Sequence, residues 1–107
     1  MRAEFAAASG GATVYFGLNS AVLGAPSRAL VAAQAAWLRR QPSVVVQVEG
    51  YGDVADSRDH ALALGARRAA EVRDYLIMLG VPAAQVAITS WGANKSGTGR
   101  AVTTLVR

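Results

Sequence analysis

Hydrophobic and polar positions alternate along the chain in two rhythms. Residues 12–18, Ala-Thr-Val-Tyr-Phe-Gly-Leu, are β-branched and aromatic and predict a first strand, ended by Asn19-Ser20 and Gly24. Pro26 suits the first turn of a helix, where a missing N–H leaves nothing unsatisfied. From there to Gln41 the period is helical. Leu30, Val31, Trp37 and Leu38 share one face, Arg28, Gln34, Arg39 and Arg40 decorate the rest, and Pro42 closes the helix. Residues 43–49 have period two, with Val44, Val46 and Val48 on one face and Val45, Gln47 and Glu49 on the other. That describes a sheet covered on one side and partly wet on the other. Gly50-Tyr51-Gly52-Asp53 is expected to break this strand before a polar loop to about Ser57. A second helix over 59–79 carries the stripe Leu62, Gly65, Ala69, Val72, Leu76 and Leu79, with Gly80 as its cap and Pro82 beyond. Residues 85–90 form a third strand, 91–99 a connection, and 100–106 a last strand.

The order β-α-β-α-β-β specifies an α/β fold of the α+β sandwich kind. Strands separated by helices imply parallel pairing through right-handed crossovers, and the short final connection implies an antiparallel hairpin. Two helices should then cover one face of a four-stranded mixed sheet. At 107 residues the chain holds one domain, 12–107, and residues 1–11 read as a linker or tag remnant. Their charged start lacks the apolar run of a signal peptide.

Composition narrows the function classes. A chain that is 52% hydrophobic and 17% charged is not disordered. Without cysteine it has no disulfide, no thiolate-bound zinc and no thiol nucleophile. No uncharged stretch reads as a 20-residue membrane span. The net charge of +4 favours anionic partners, but ten arginines and Lys95 are scattered among seven acids, so nucleic acid is not an expected partner. Alanine fills 23 positions, and this Ala- and Arg-rich, Lys-poor usage reads as the product of a GC-rich genome.

The chemistry gathers in residues 50–73. Asp53 lies in a Gly-flanked loop at a strand end, and Arg67 and Arg68 lie on the next helix. Neighbouring helix positions point about 100° apart, so at most one of the two faces a given site. A carboxylate and a guanidinium so placed can pair to brace the loop. They can instead share a zwitterion, the acid taking an ammonium and the arginine gripping a carboxylate with its bidentate fork. Asp53, Asp56, Asp59 and His60 form an acid-rich cluster, but the calcium-loop pattern is not met, and Asp56 or Ser57 has a simpler role capping the helix. Asp53 and His60 could be base and acid of a hydrolase, yet no serine stands in a nucleophile elbow. Gly92–Gly99 contains Lys95 without the spacing of a phosphate loop. No enzyme activity, cofactor or metal is therefore expected. Trp37 at helical spacing is core or half-core, and Trp91 is either a rim aromatic or a packing residue.

Val48-Glu49-Gly50-Tyr51-Gly52-Asp53, then Ala63-Leu64-Gly65-Ala66-Arg67-Arg68-Ala69, then Val72 with Tyr75-Leu76, resembles the OmpA-like peptidoglycan-binding domain. That family's signature runs Gly-His-Thr/Ala-Asp, a gap, then Asn-x-x-Leu-(Ser/Gly)-x-x-Arg-Ala. Residues 13–19 are similar to its first strand, and Leu79-Gly80-Val81-Pro82 and Ser90-Trp91-Gly92 to its later landmarks. The resemblance spans about 13–106 and is nearest to the peptidoglycan-associated lipoprotein subgroup. It implies non-covalent binding of the cell-wall stem peptide at the zwitterionic end of meso-diaminopimelate. Asp53 would meet the ammonium, and Arg68, fifteen residues on, the carboxylate. Tyr51, Gly52, Gly17, Asn19 and Arg58 complete the candidate ligand-binding set. It further implies a monomeric periplasmic tether, associated with the outer membrane through an anchor outside this chain. Its partners would be peptidoglycan and envelope proteins such as the Tol system. The chain departs from the pattern where the family's His is Tyr51, its Thr or Ala is Gly52, its helix Asn is Ala61, its first-strand Asp is Asn19, and the lipoprotein subgroup's Glu-Arg is Val54-Ala55. Arg58 is placed to replace the lost basic group. These departures motivate an alternative, the same fold with a degenerate site acting as a protein-interaction or scaffold module.

Overall fold

The computed structural model describes residues 13–53, 57–92 and 100–105. Along the chain run β1 (Thr13–Tyr15), α1 (Ala25–Arg39), β2 (Val46–Tyr51), α2 (Arg58–Met78), a single 3-10 turn (Ala83–Gln85), β3 (Val86–Gly92) and β4 (Arg100–Leu105). The strands form one sheet in the order β1-β4-β2-β3. β2 and β3 are parallel, and β4 is antiparallel to both β1 and β2. The strands β1, β2 and β3 therefore run one way, and their C-terminal ends share one end of the sheet. The proposed linker at 1–11 and the connection at 93–99 lie outside the described residues.

The last strand corrects the sequence expectation. β4 makes no hairpin with β3 but inserts between β1 and β2. Seven residues can span roughly 25 Å, whereas passing one strand takes about 10 Å, so length alone left both edges of the β2–β3 pair in reach. In the inner position both edges of β4 are paired, and β2 gains a partner on its second side.

The core draws on both helices and one sheet face. Val31, Ala35, Trp37 and Leu38 of α1 and Ala69, Val72 and Leu76 of α2 close over Val14, Val46, Val48 and Ala101. Three expectations change here. The buried stripe of α2 starts at Ala61 and runs through Leu64, Gly65, Arg68 and Ala69, while Leu62 points outward. Gln34, read as surface, is fully buried. β2 also continues through Gly50 and Tyr51, because both stay paired with β3. The end of α2 is as expected: Gly80 has φ +100°, its N–H bonds the Ile77 carbonyl, and the Val81 N–H reaches the Leu76 carbonyl. This is the paired-bond stop that a left-handed glycine permits, with Val81 and Leu76 both buried beside it. The buried Gln85 amide donates to the carbonyls of Leu38, Gln41 and Val44, tying the end of α1 to the start of β3.

What positions the site is a close approach of α2 to the sheet. Val14, Ala101, Gly50 and Ser90 form one row across the four strands. Over this row α2 places Gly65. A Cβ on Gly50 would overlap the Gly65 carbonyl oxygen, and one on Gly65 would lie 2.5 Å from Ser90 Oγ and 2.8 Å from the Gly50 oxygen. Ser90 Oγ in turn donates to the Leu62 carbonyl at 2.7 Å. Gly65→Ala is expected to cost about 2 kcal/mol or more in urea unfolding, because backbone must move to admit the methyl. Gly17→Ala, whose methyl would meet only Ser20 Cβ at 3.9 Å, should change stability by less than about 0.5 kcal/mol.

Candidate ligand-binding site

The turn after β1, the end of β2 and one face of α2 meet at the C-terminal end of the parallel strands. Gly17 to Ser20 close a tight turn through the Ser20 N–H to Gly17 carbonyl bond. Asn19 takes φ +52° in it, a left-handed conformation that asparagine accepts more readily than most residues. Arg68 rises from α2 beneath this turn with no solvent exposure. Its Nε donates to the Ser20 carbonyl at 2.8 Å, Nη1 to the Tyr51 carbonyl at 2.7 Å, and Nη2 to the Gly17 carbonyl at 3.0 Å. Nη1 also pairs with Asp53 Oδ1 at 3.0 Å. The guanidinium carbon lies 5.3 Å from the centre of the Phe16 ring, within cation–π range.

Asp53 completes the junction. Its Oδ2 accepts the Asn19 backbone N–H at 2.7 Å, and its side chain stays 14% exposed, so one edge reaches solvent. Burial on its own pushes this carboxyl up. The Asn19 N–H bond, the hydrogen bond and charge of Arg68, and the charge of His60 outweigh that effect, and the group sits below the ordinary carboxylate value.

Five of the seven candidate residues converge here. Asp53 and Arg68 contribute side chains, Gly17 and Tyr51 contribute carbonyls, and Asn19 contributes its N–H to Asp53. The β1 end offers carbonyls to Arg68 and spends the Asn19 N–H on Asp53. Gly52 acts by its size: a Cβ there would overlap the Ala61 carbonyl oxygen and lie 2.7 Å from its Cα, so the glycine seats the head of α2 against the end of β2. Arg58 is exposed at the start of α2, and no hydrogen bond or ion pair joins it to Asp53 among the described residues.

His60 is the residue that the ligand reading omitted. Its Nε2 lies 2.8 Å from Asn19 Oδ1, at the mouth of the site. Its backbone N–H bonds the Ser57 hydroxyl, which caps α2 and so sets the ring's direction. Motif matching pointed one position later, to Ala61, but Ala61 is buried under Gly52. The available signal was the helix cap: Ser57 at the cap places His60 in the first turn, facing the β1 loop. Trp91 stands away from this junction on the open face of the sheet, 48% exposed, with its Nε1 donating to Glu49 at 2.9 Å.

The family model of the OmpA family matches residues 15–104. The chain belongs to that family. It is 40% identical over 85 residues to the peptidoglycan-associated lipoprotein of Agrobacterium fabrum, covering 79% of this chain and 48% of that protein. It is 39% identical over 83 residues to the one from Pasteurella multocida, covering 78% and 55%. The chain thus spans about half the length of the relatives it matches. Among solved structures, the peptidoglycan-associated lipoprotein of Burkholderia pseudomallei superposes with a TM-score of 0.83 at 27% identity, over 90% of this chain and 91% of that one. The C-terminal domain of Helicobacter pylori MotB shares the fold at a TM-score of 0.78 and 20% identity, covering 89% and 84%.

Two outcomes follow from this geometry. Arg68→Met should cost about 3–5 kcal/mol in urea unfolding, since it strands Asp53 and three carbonyls together. Arg68→Lys should not restore it, because one ammonium cannot span the four acceptors. The folded pKa of Asp53 lies below its unfolded value of about 3.9, so its contribution is present above that pH and is lost as pH falls through the folded value. Urea midpoints of wild type and Asp53→Asn, compared at neutral pH and at roughly pH 2.5, should therefore differ most at neutral pH and converge in acid.

Proposed function

We propose that this domain binds the peptidoglycan stem peptide non-covalently and so holds an envelope protein to the cell wall in the periplasm. No bond in the ligand is made or broken. The observation that carries this reading is an ionised, partly exposed carboxylate at the mouth of a polar site, braced by a buried arginine in a family whose named relatives are peptidoglycan-associated lipoproteins. The ligand group that fits is the zwitterionic end of meso-diaminopimelate. Its ammonium shares Asp53 with Arg68. Its carboxylate is assigned to Arg68, whose guanidinium has no exposed surface and must be uncovered by a shift of the Gly17–Ser20 turn for direct contact, with His60 and Asn19 at the rim. The bracing pair and the ligand site are then one device: the guanidinium that shapes the pocket also holds the carboxylate charged. The domain works as a monomer, and the Tol system is the envelope partner of this reading.

A second reading has its own observation. Arg68 has no exposed surface, and the family's helix asparagine is a buried alanine, which favours a scaffold domain that kept the fold and lost the ligand. Backbone amide NMR separates the two. Titration with a diaminopimelate stem peptide should shift residues 50–53, Asn19 and the backbone near Arg68, and a stem peptide with lysine instead should not. Asp53→Asn should abolish the shifts while the spectrum stays that of a folded domain. No shifts at millimolar peptide would leave the scaffold reading.

A further inference from the structure

An open groove of about 700 Å³ lies on the far side of the Asn19 turn, between that turn and α2. This volume suits a small ligand or a short peptide. Asn19 and Ser20 belong to both the groove and the ligand site. Along α2 the groove is walled by Arg67, Glu71 and Asp74 at i, i+4 and i+7, and Tyr75 and Met78 lie farther along. Its charge is therefore graded, positive near Asn19 and negative farther on. Asp74 is already paired with Arg73 at 3.1 Å. On the opposite side Arg28 is tied to the Leu23 carbonyl at 3.3 Å and braces the wall. Arg67 is different. It is exposed, and its side chain makes no hydrogen bond or ion pair with another described residue. It stands beside Arg68 on the helix but about 100° around the axis, so Arg68 points under the turn while Arg67 faces the groove.

We infer that Arg67 is a specificity-determining residue that grips a carboxylate of the stem peptide one residue away from the zwitterion held at Asp53. This rests on the stem-peptide reading above. The chemistry of that peptide supplies the anion. The residue preceding diaminopimelate is a glutamate joined through its side-chain carboxyl, which leaves its α-carboxylate free. A ligand anchored at Asp53 and passing over Asn19 brings this carboxylate to the positive end of the groove. The guanidinium fork of Arg67 matches it in shape and charge. Amidation of that carboxylate removes the charge and one acceptor without changing the size of the peptide.

The test is a calorimetric titration with two synthetic stem tetrapeptides, identical except that the glutamate α-carboxylate is free in one and amidated in the other. Each is titrated into wild type and Arg67→Gln. Wild type should prefer the free acid about fivefold, in line with a charge-assisted contact at an exposed site, with the preference shrinking at high salt. Arg67→Gln should bind both peptides alike, at the affinity wild type shows for the amide, with an unchanged melting temperature. A preference that persists in Arg67→Gln, or is absent from wild type that still binds, overturns the role of Arg67 and leaves the stem-peptide reading standing. Wild type that binds neither peptide overturns both.

Discussion

A guanidinium that no solvent reaches has to find its acceptors inside the protein, and in this domain that requirement organises one end of the fold. Arg68 collects the carbonyls of Gly17, Ser20 and Tyr51 and the carboxylate of Asp53. Those groups come from the β1 turn, the last residue of β2 and the loop that follows it. Each alone would be a surface loop with unpaired carbonyls. Together they satisfy a buried charge whose desolvation would otherwise be strongly unfavourable. Asp53 then closes the ring by taking the Asn19 N–H, which joins the two loops directly.

The clamp works only because α2 lies unusually near the sheet. Gly50 and Gly65 meet backbone to backbone, and Ser90 bonds the helix through the Leu62 carbonyl. Arg68 stands three positions beyond Gly65 on the same buried stripe, so the depth of the helix sets the height at which the guanidinium arrives. At the other end of α2 the Gly80 stop, and at the end of α1 the Gln85 amide, hold the helices in register with β3. Packing and site are thus one mechanical unit. A methyl on the glycine row would lift the arginine away from its carbonyls.

Much of the site was legible in the sequence, but mainly as residue identities. Asp53, Arg68, Tyr51, Gly17 and Asn19 meet at one junction: a strand end and a helix fifteen residues on are near neighbours, whereas Gly17 and Asn19 are brought in from 51 and 34 residues away. Which atoms would be used was not legible. Tyr51 and Gly17 act through carbonyls, a property every residue shares, so no side-chain pattern marks them. Gly52 looked like a ligand contact and is a packing glycine, because only the approach of Ala61 reveals the need for a missing Cβ. His60 was displaced from the ligand set by one position in the motif, although the Ser57 cap directs it toward Asn19.

The sequence by itself determined the elements, their order, the apolar faces of α1 and β2, and the left-handed stop at Gly80. These depend on contacts within a few residues, where periodicity and backbone stereochemistry decide the outcome. Only the tertiary structure decided that β4 enters the middle of the sheet, that Leu62 turns outward while Gln34 is buried, and that Arg67 and Arg68 serve opposite sides of one turn. Those outcomes depend on competition between partners far apart in the chain. A strand that can reach two edges takes the one that pairs both of its sides. A helix settles in the rotation that brings its smallest residue against the backbone of the sheet.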